Sequence, residues 1–295
     1  MIEKVFEARE LGYTYPGDIE ALRGLNLSIE AGERVAFLGA NGCGKSTLLW
    51  LMDGLLFPTS GELLAFGNPL TEEVLSDGNF AFSFRRRVGM IFQDPDVQLF
   101  SATVGEEVAF GLLQLGFPRG EVEERLRAAL ELLGIEDLRE RPPYRLSGGE
   151  KKKVALASVL ALEPQVLLMD EPTAGLDPKT QSWLVEFLKE WHREGRTIVI
   201  STHDLDTLKE MSDTVYILDE THRLAGEGTP EGVLAETEFL LRTNLIHQHS
   251  HRHNGTLHSH VHRHVRFHEH KHEKAGASLV TAADAPAGGS MVSPQ

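Results

Sequence analysis

The chain has 295 residues, 41% of them apolar and 25% charged, and a net charge of −15. That composition is ordinary for a globular protein and excludes a wholly disordered chain. The acid excess disfavours nucleic acid as a partner, because such binders carry a basic face, and a single Cys, unable to form an internal disulfide, points to a reducing compartment.

The opening residues mix charges at once and hold no apolar core like that of a signal peptide. No charge-free apolar run approaches the ~18 residues needed to cross a bilayer. The expectation is a soluble protein, or one held at a membrane through a partner. Ala21 to Glu30 alternates apolar and polar residues, as an antiparallel strand does. Arg34 to Leu38 is a short apolar run ending at Gly39 and reads as a buried strand, followed by a helix over Ser46 to Met52. Helical patterns follow over Glu121 to Leu133, Lys152 to Leu162 and Gln181 to Glu194. Among them lie buried-strand runs at Val166 to Met169, Thr197 to Ser201 and Val215 to Leu218. Strands alternating with helices predict an α/β fold with a largely parallel sheet covered on both faces.

Histidine is concentrated: 11 of 14 lie between His247 and His272. That stretch has too few apolar residues for a core, and the segment after it is rich in Ala, Gly, Ser and Pro and reads as disordered. The expected boundaries are a globular domain over residues 1–244 and a His-rich tail over 245–295.

Gly39 to Ser46 fits the spacing G-x-x-x-x-G-K-[ST]. Gly39, Gly42 and Gly44 let the backbone N–H groups of a loop that also holds Asn41 and Cys43 converge on nucleotide phosphates, helped by the N-terminus of the helix that carries Thr47. Lys45 supplies a point charge toward the β- and γ-phosphates, and the Ser46 hydroxyl can ligate Mg²⁺. Cys43 reads as a small loop residue, with a redox role as the alternative. Val166 to Glu171 places two adjacent carboxylates at the end of a buried strand. Asp170 can hold Mg²⁺ directly or through water, and Glu171 can polarise the attacking water.

Three further segments follow the same order. Gln93 lies between the phosphate loop and the carboxylates, Leu146-Ser-Gly-Gly-Glu150 precedes a helix, and His203 ends the third buried strand. Singly, each has a plain reading: a polar loop residue, a helix cap completed by Glu150, a strand-end histidine. Together, over about residues 3–240, they resemble the ATP-binding cassette (ABC) ATPases, the nucleotide-binding subunits of ABC transporters. That resemblance implies a P-loop core with a parallel sheet, an N-terminal antiparallel β-subdomain and an α-helical signature subdomain. It also implies ATP and Mg²⁺ as ligands, with Ser46, Gln93 and Asp170 on the ion. Tyr15 matches the aromatic that stacks on adenine, with Tyr13 as the substitute. Two cassettes would pair head to tail, so that Ser147, Gly148, Gly149 and the D-loop Asp177 of one face the nucleotide of the other. Glu171 would be the general base, His203 would stabilise the γ-phosphate, and Gln93 would link the site to a transmembrane partner.

The stretch Phe92 to Phe100, continuing to Val104 to Gly111, looks like the ATPase subunits of energy-coupling-factor importers, as does Leu146 to Ala155. These bring in vitamins or transition-metal ions beneath a transmembrane coupling subunit and a capturing membrane subunit. By that resemblance, apolar surface near Leu99 and Phe100 receives a coupling helix, with core packing as the alternative for Phe100.

The tail histidines form three alternating sets: His247, His249, His251 and His253; His258, His260, His262 and His264; His268, His270 and His272. Imidazole without thiolate suits Ni²⁺, Co²⁺, Zn²⁺ or Cu²⁺, and a solvated tail titrating near neutrality is the alternative. His192 and His222 read as surface residues. The combined expectation is the ATPase of a nickel or cobalt importer, peripheral on the cytoplasmic face of the cell membrane, with no nucleic acid partner. The competing readings are a zinc or vitamin importer, a metal exporter, a metal-buffering protein acting through the tail, and a non-transport cassette protein. Leu70 to Phe84 is somewhat long for this family and points to an altered surface loop.

Overall fold

Alternating apolar residues along strands and apolar stripes along helices organise the chain around two sheets. The computed structural model describes residues 3–253 and 256–263, and the side chains of residues 3–246. The chain begins with β1 (Lys4–Tyr15), β2 (Ile19–Glu30) and β3 (Arg34–Leu38), then α1 (Lys45–Met52), β4 (Ser60–Ala65) and β5 (Asn68–Pro69). Two short helices follow, α2 (Glu72–Ser76) and α3 (Gly78–Arg87), leading into β6 (Val88–Ile91). A helical segment comprises α4 (Val104–Gln114), α5 (Arg119–Leu133) and α6 (Gly148–Leu160). The remainder alternates: β7 (Val166–Asp170), α7 (Pro178–His192), β8 (Thr197–Thr202), α8 (Leu208–Met211), β9 (Thr214–Leu218) and β10 (Leu224–Gly228). Helices α9 (Pro230–Ala235) and α10 (Thr237–Arg242) precede β11 (Ile246–His253) and β12 (Thr256–Arg263).

The central sheet has the order β10-β9-β3-β8-β7-β6. Strands β9, β3, β8, β7 and β6 are parallel, and β10 closes the edge antiparallel to β9. Successive residues of a strand face opposite sides. Val35, Phe37, Val166 and Leu168 therefore join one apolar layer, against α1 and the N-terminal sheet. Ala36, Leu38, Leu167 and Met169 join the other, against α4 to α7. Both faces are covered, which is why these strands read as unbroken apolar runs.

The second sheet, β2-β1-β4-β5, is antiparallel. The parallel core, the antiparallel β-subdomain and the helical segment carrying the signature agree with the expected architecture. Strands β1, β4, β5, β6 and β10, which carried no separate expectation, complete the two sheets. The long segment before Arg85 forms α2 and α3, N-capped by Thr71 and Asp77. Phe84 anchors it, being 2% exposed.

The core continues past the expected boundary. Leu245 and Ile246 are 2% and 3% exposed and pack with Leu240. Beyond them β11 pairs antiparallel with β12, within the stretch expected as the His-rich tail. His264, His268, His270, His272 and the Ala/Gly/Ser/Pro-rich end lie outside the described residues. Among the described residues no helix is long and apolar enough to cross a membrane.

Candidate nucleotide site

The phosphate loop joins β3 to α1, where a buried strand stops and a helix begins. Gly44 sits at φ 108°, and a Cβ there would lie 2.3 Å from the Ala21 carbonyl oxygen. Only glycine therefore lets the loop pass beneath β2. Lys45 is 6% exposed. Its Nζ donates to the Gly39 carbonyl at 2.8 Å and the Ala40 carbonyl at 3.2 Å, and lies 3.7 Å from Glu171 Oε1. The ammonium is thus folded back into its own loop.

A cavity of about 410 Å³ opens over this loop. Its walls include Tyr15, Asn41, Gly42, Gly44, Lys45, Ser46, Thr47, Gln93 and Glu171. Tyr15 closes one side, its hydroxyl 3.1 Å from Thr47 Oγ1 and its ring edge-on to Tyr13 with centroids 4.8 Å apart. Tyr15 lines the cavity and Tyr13 does not. Cys43 points inward, 2% exposed, and burial pushes its thiol above the ordinary value. A buried thiol held in its protonated form is unreactive, so nothing here supports the redox alternative.

A larger cavity of about 550 Å³ lies elsewhere, lined by Glu121, Glu124, Glu163, Arg125 and Trp191 among others. It lacks a phosphate loop and is rich in carboxylates, which suits a polyphosphate poorly.

The carboxylate pair sits where β7 meets β8. Ser201 Oγ donates to Asp170 Oδ1, and the Glu171 amide donates to the Ser201 carbonyl and hydroxyl oxygens, each at 3.1 Å. These bonds hold Glu171 at φ 43°, in the left-handed region that a non-glycine residue rarely adopts. The turn separates the two carboxylates, and Glu171 Oε1 meets His203 Nδ1 at 2.7 Å. The hydrogen bond to Glu171 raises the His203 imidazole above its ordinary value, against the opposing effect of burial. A group whose folded value is raised stabilises the fold fully below its unfolded value and loses that contribution as pH rises through the folded value. The melting-temperature gap between wild type and His203→Gln is therefore expected to shrink as pH rises from about 6 to about 9. Thermal melts across that range check this; a constant gap would mean the pair is not ionic.

The signature segment starts α6. Ser147 accepts from the Glu150 amide while Glu150 Oε2 takes the Ser147 amide and hydroxyl, both at 2.7 Å, a complete capping box. Those donors hold the Glu150 carboxyl below the usual carboxylate range. Asp177 caps α7, accepting from the Lys179 and Thr180 amides and the Thr180 hydroxyl. Ser147, Gly148 and Asp177 are exposed, and neither they nor Gly149 line the nucleotide cavity of their own chain.

Three residues escaped the sequence. His222, read as a surface residue, is half-buried in the cavity wall, with Nδ1 3.3 Å from the Cys43 carbonyl oxygen. His192 is likewise half-buried, with Nδ1 2.9 Å from the Arg196 carbonyl. Lys152 on α6 is 1% exposed, and its Nζ donates to the Phe92 carbonyl at 3.0 Å and the Gln93 carbonyl at 3.5 Å. Burial pushes its ammonium down to about 8, against the pull of Asp170 and Asp94. It ties the signature helix to the backbone that carries Gln93. Its signal was present: a lysine three and four residues before Ala155 and Leu156, on an apolar helical stripe. Lys152→Met keeps the volume and removes the donor. Turnover is expected to fall on the order of tenfold with ATP affinity held, because the Gln93 loop loses its tether. Steady-state kinetics check this, and unchanged turnover would remove the role.

Residues 22–174 match the family model described as ABC transporter. The Rhodobacter capsulatus nickel import ATP-binding protein NikO is 48% identical over 244 residues, 82% of this chain and 95% of that protein. The energy-coupling factor transporter ATP-binding protein EcfA of Methanoculleus marisnigri is 48% identical over 242 residues, 82% of this chain and 85% of its own. Among solved structures, cbiO1 of Clostridium perfringens, titled as part of the ABC transporter complex cbiONQ, superposes with a TM-score of 0.70. It is 41% identical, covering 82% of this chain and 95% of that one. A dimeric ATP-binding cassette in a post-hydrolysis state with ADP and Pi gives a TM-score of 0.69 at 28% identity, over 76% of this chain and 98% of that one.

Proposed function

The chain belongs to the ABC transporter family of ATPases, and on that premise we propose that it powers the import of nickel or cobalt ions. The observation that carries the ATPase half is the cavity in which Lys45, Ser46, Gln93 and Glu171 meet over the phosphate loop. Ser46, Gln93 and Asp170 offer the hard oxygen donors that Mg²⁺ takes, and would hold it. Bound there, the ion would offset phosphate charge. Lys45 faces the phosphates, and Tyr15 stacks on adenine. Glu171, oriented by His203, accepts a proton from the attacking water. The outward-facing Ser147, Gly148, Gly149 and Asp177 complete the site of a second copy in a head-to-tail homodimer.

The metal half rests on the nickel-import relative and on the tail histidines, His247 to His272, as ligands for Ni²⁺, Co²⁺ or Zn²⁺. The protein would work at the cytoplasmic face of the membrane beneath a coupling subunit and a metal-capturing subunit. Val97 and Phe100, 70% and 67% exposed, offer an apolar docking surface there, and buried Glu107 fixes its backbone by accepting from the Phe100 and Ser101 amides. Cells deprived of this chain are expected to lose energy-dependent uptake of nickel or cobalt, with recovery on supplying wild type but not Glu171→Gln. Metal uptake that persists while vitamin uptake fails would reassign the cargo.

A further inference from the structure

We propose that β11 and β12 form a transition-metal site built from three cross-strand histidine pairs, His247 with His262, His249 with His260 and His251 with His258. This deepens the metal reading of the tail and rests on it. The register of the hairpin places these residues directly opposite one another. Opposed residues of an antiparallel pair share a face, with Cα atoms about 4.5–5.5 Å apart, and the next position on that face is about 6.8 Å along the strand. All six histidines therefore occupy one face in a ladder of three rungs. The alternate positions, Gln248, Ser250 and Arg252 against Val261, Ser259 and Leu257, occupy the other.

The sequence supports the pairing independently. Asn254-Gly255 separates the two strands, and that dipeptide is the strongest short signal for a two-residue hairpin connection. Residues 246–263 contain no Asp, Glu or Cys, so imidazole is the ligand on offer. That set favours Ni²⁺, Cu²⁺, Zn²⁺ or Co²⁺ over Mg²⁺ or Ca²⁺. A lone two-stranded hairpin is marginal in water, so a metal ion bridging the strands would stabilise the pairing, and binding and folding would be coupled. Of the other tail histidines, His253 stands opposite Thr256, and His264, His268, His270 and His272 lie outside the described residues.

The test keeps composition fixed and changes register. In the full chain, His258, His260 and His262 are exchanged with their preceding neighbours (Leu257→His with His258→Leu, Ser259→His with His260→Ser, Val261→His with His262→Val). This moves three histidines to the opposite face of β12. A second variant adds the matching exchange in β11, placing histidines at 248, 250 and 252, opposite those at 261, 259 and 257. Ni²⁺ and Zn²⁺ are titrated calorimetrically, and amide hydrogen exchange over 246–263 is followed with and without metal. The single-strand exchange is expected to weaken binding on the order of a hundredfold, since the second ligand no longer acts intramolecularly. The two-strand exchange is expected to restore both affinity and metal-dependent amide protection. Equal affinity in all three proteins would overturn the paired site while leaving a metal-binding tail. No binding by wild type would overturn both.

Discussion

Replacing Glu171 with Gln is expected to stop ATP turnover while leaving ATP binding intact. The substitution keeps the size of the side chain and its reach to His203 but removes the proton acceptor. Loss of a positioned general base costs on the order of 10²–10⁴ in rate. The amide of the substituted residue cannot accept the proton of the attacking water, so hydrolysis stalls with nucleotide bound. Head-to-tail dimers held by ATP should then accumulate. Phosphate release measures the first effect, and size-exclusion chromatography with ATP measures the second. Hydrolysis at the wild-type rate would exclude Glu171 as the base. The same variant removes the carboxylate whose hydrogen bond, and to a smaller extent whose charge, raises the His203 imidazole, so the histidine should titrate nearer its ordinary value, which NMR of the ring protons can follow.

Lys45→Ala should act on the other side of the reaction, on binding. The Lys45 ammonium is the buried cation at the phosphate loop, 3.7 Å from Glu171 and bonded to the Gly39 and Ala40 carbonyls. Its removal deprives the phosphates of a charge-assisted donor. Truncating one partner of a buried charge pair costs about 2–5 kcal/mol, and a loss of ATP affinity on the order of a hundredfold follows at tenfold per ~1.4 kcal/mol. Equilibrium titration with a nucleotide reads this directly. Affinity within about threefold of wild type would place the phosphates away from this lysine. Because Glu171 would be left buried beside His203 alone, the variant should also melt lower than wild type.

The two variants separate binding from chemistry, and they do so because the site is assembled from two kinds of information. The phosphate loop was legible because its chemistry is local. Gly39 to Thr47 must turn between one strand and the helix after it, and adjacent backbone amides do the binding. Asp170, Glu171 and His203 were legible as strand ends, since an apolar run stopping at a charged residue marks the rim of a covered parallel sheet. The order β9-β3-β8-β7-β6 was not legible, because each parallel neighbour lies far away in sequence and its pairing depends on the packing of the helices between.

Tertiary structure decided what the motifs touch. It brought Tyr15 of β1 to Thr47 of α1, seated His222 in the cavity wall, and used Lys152 of α6 to hold the carbonyls beside Gln93. It also extended the core through Ile246, because Leu245 and Ile246 find cover beside Leu240 that a count of apolar residues could not foresee. In the tail, alternation in the sequence settled that histidines recur every second residue. Only the strand register settled which of them stand opposite one another, because a shift of one residue would put the two sets on opposite faces. The ATPase chemistry was thus legible beforehand, because it resides in short contiguous segments. The partners of each segment were decided by long-range packing, where the free energy of burial selects among many contacts that sequence leaves equivalent.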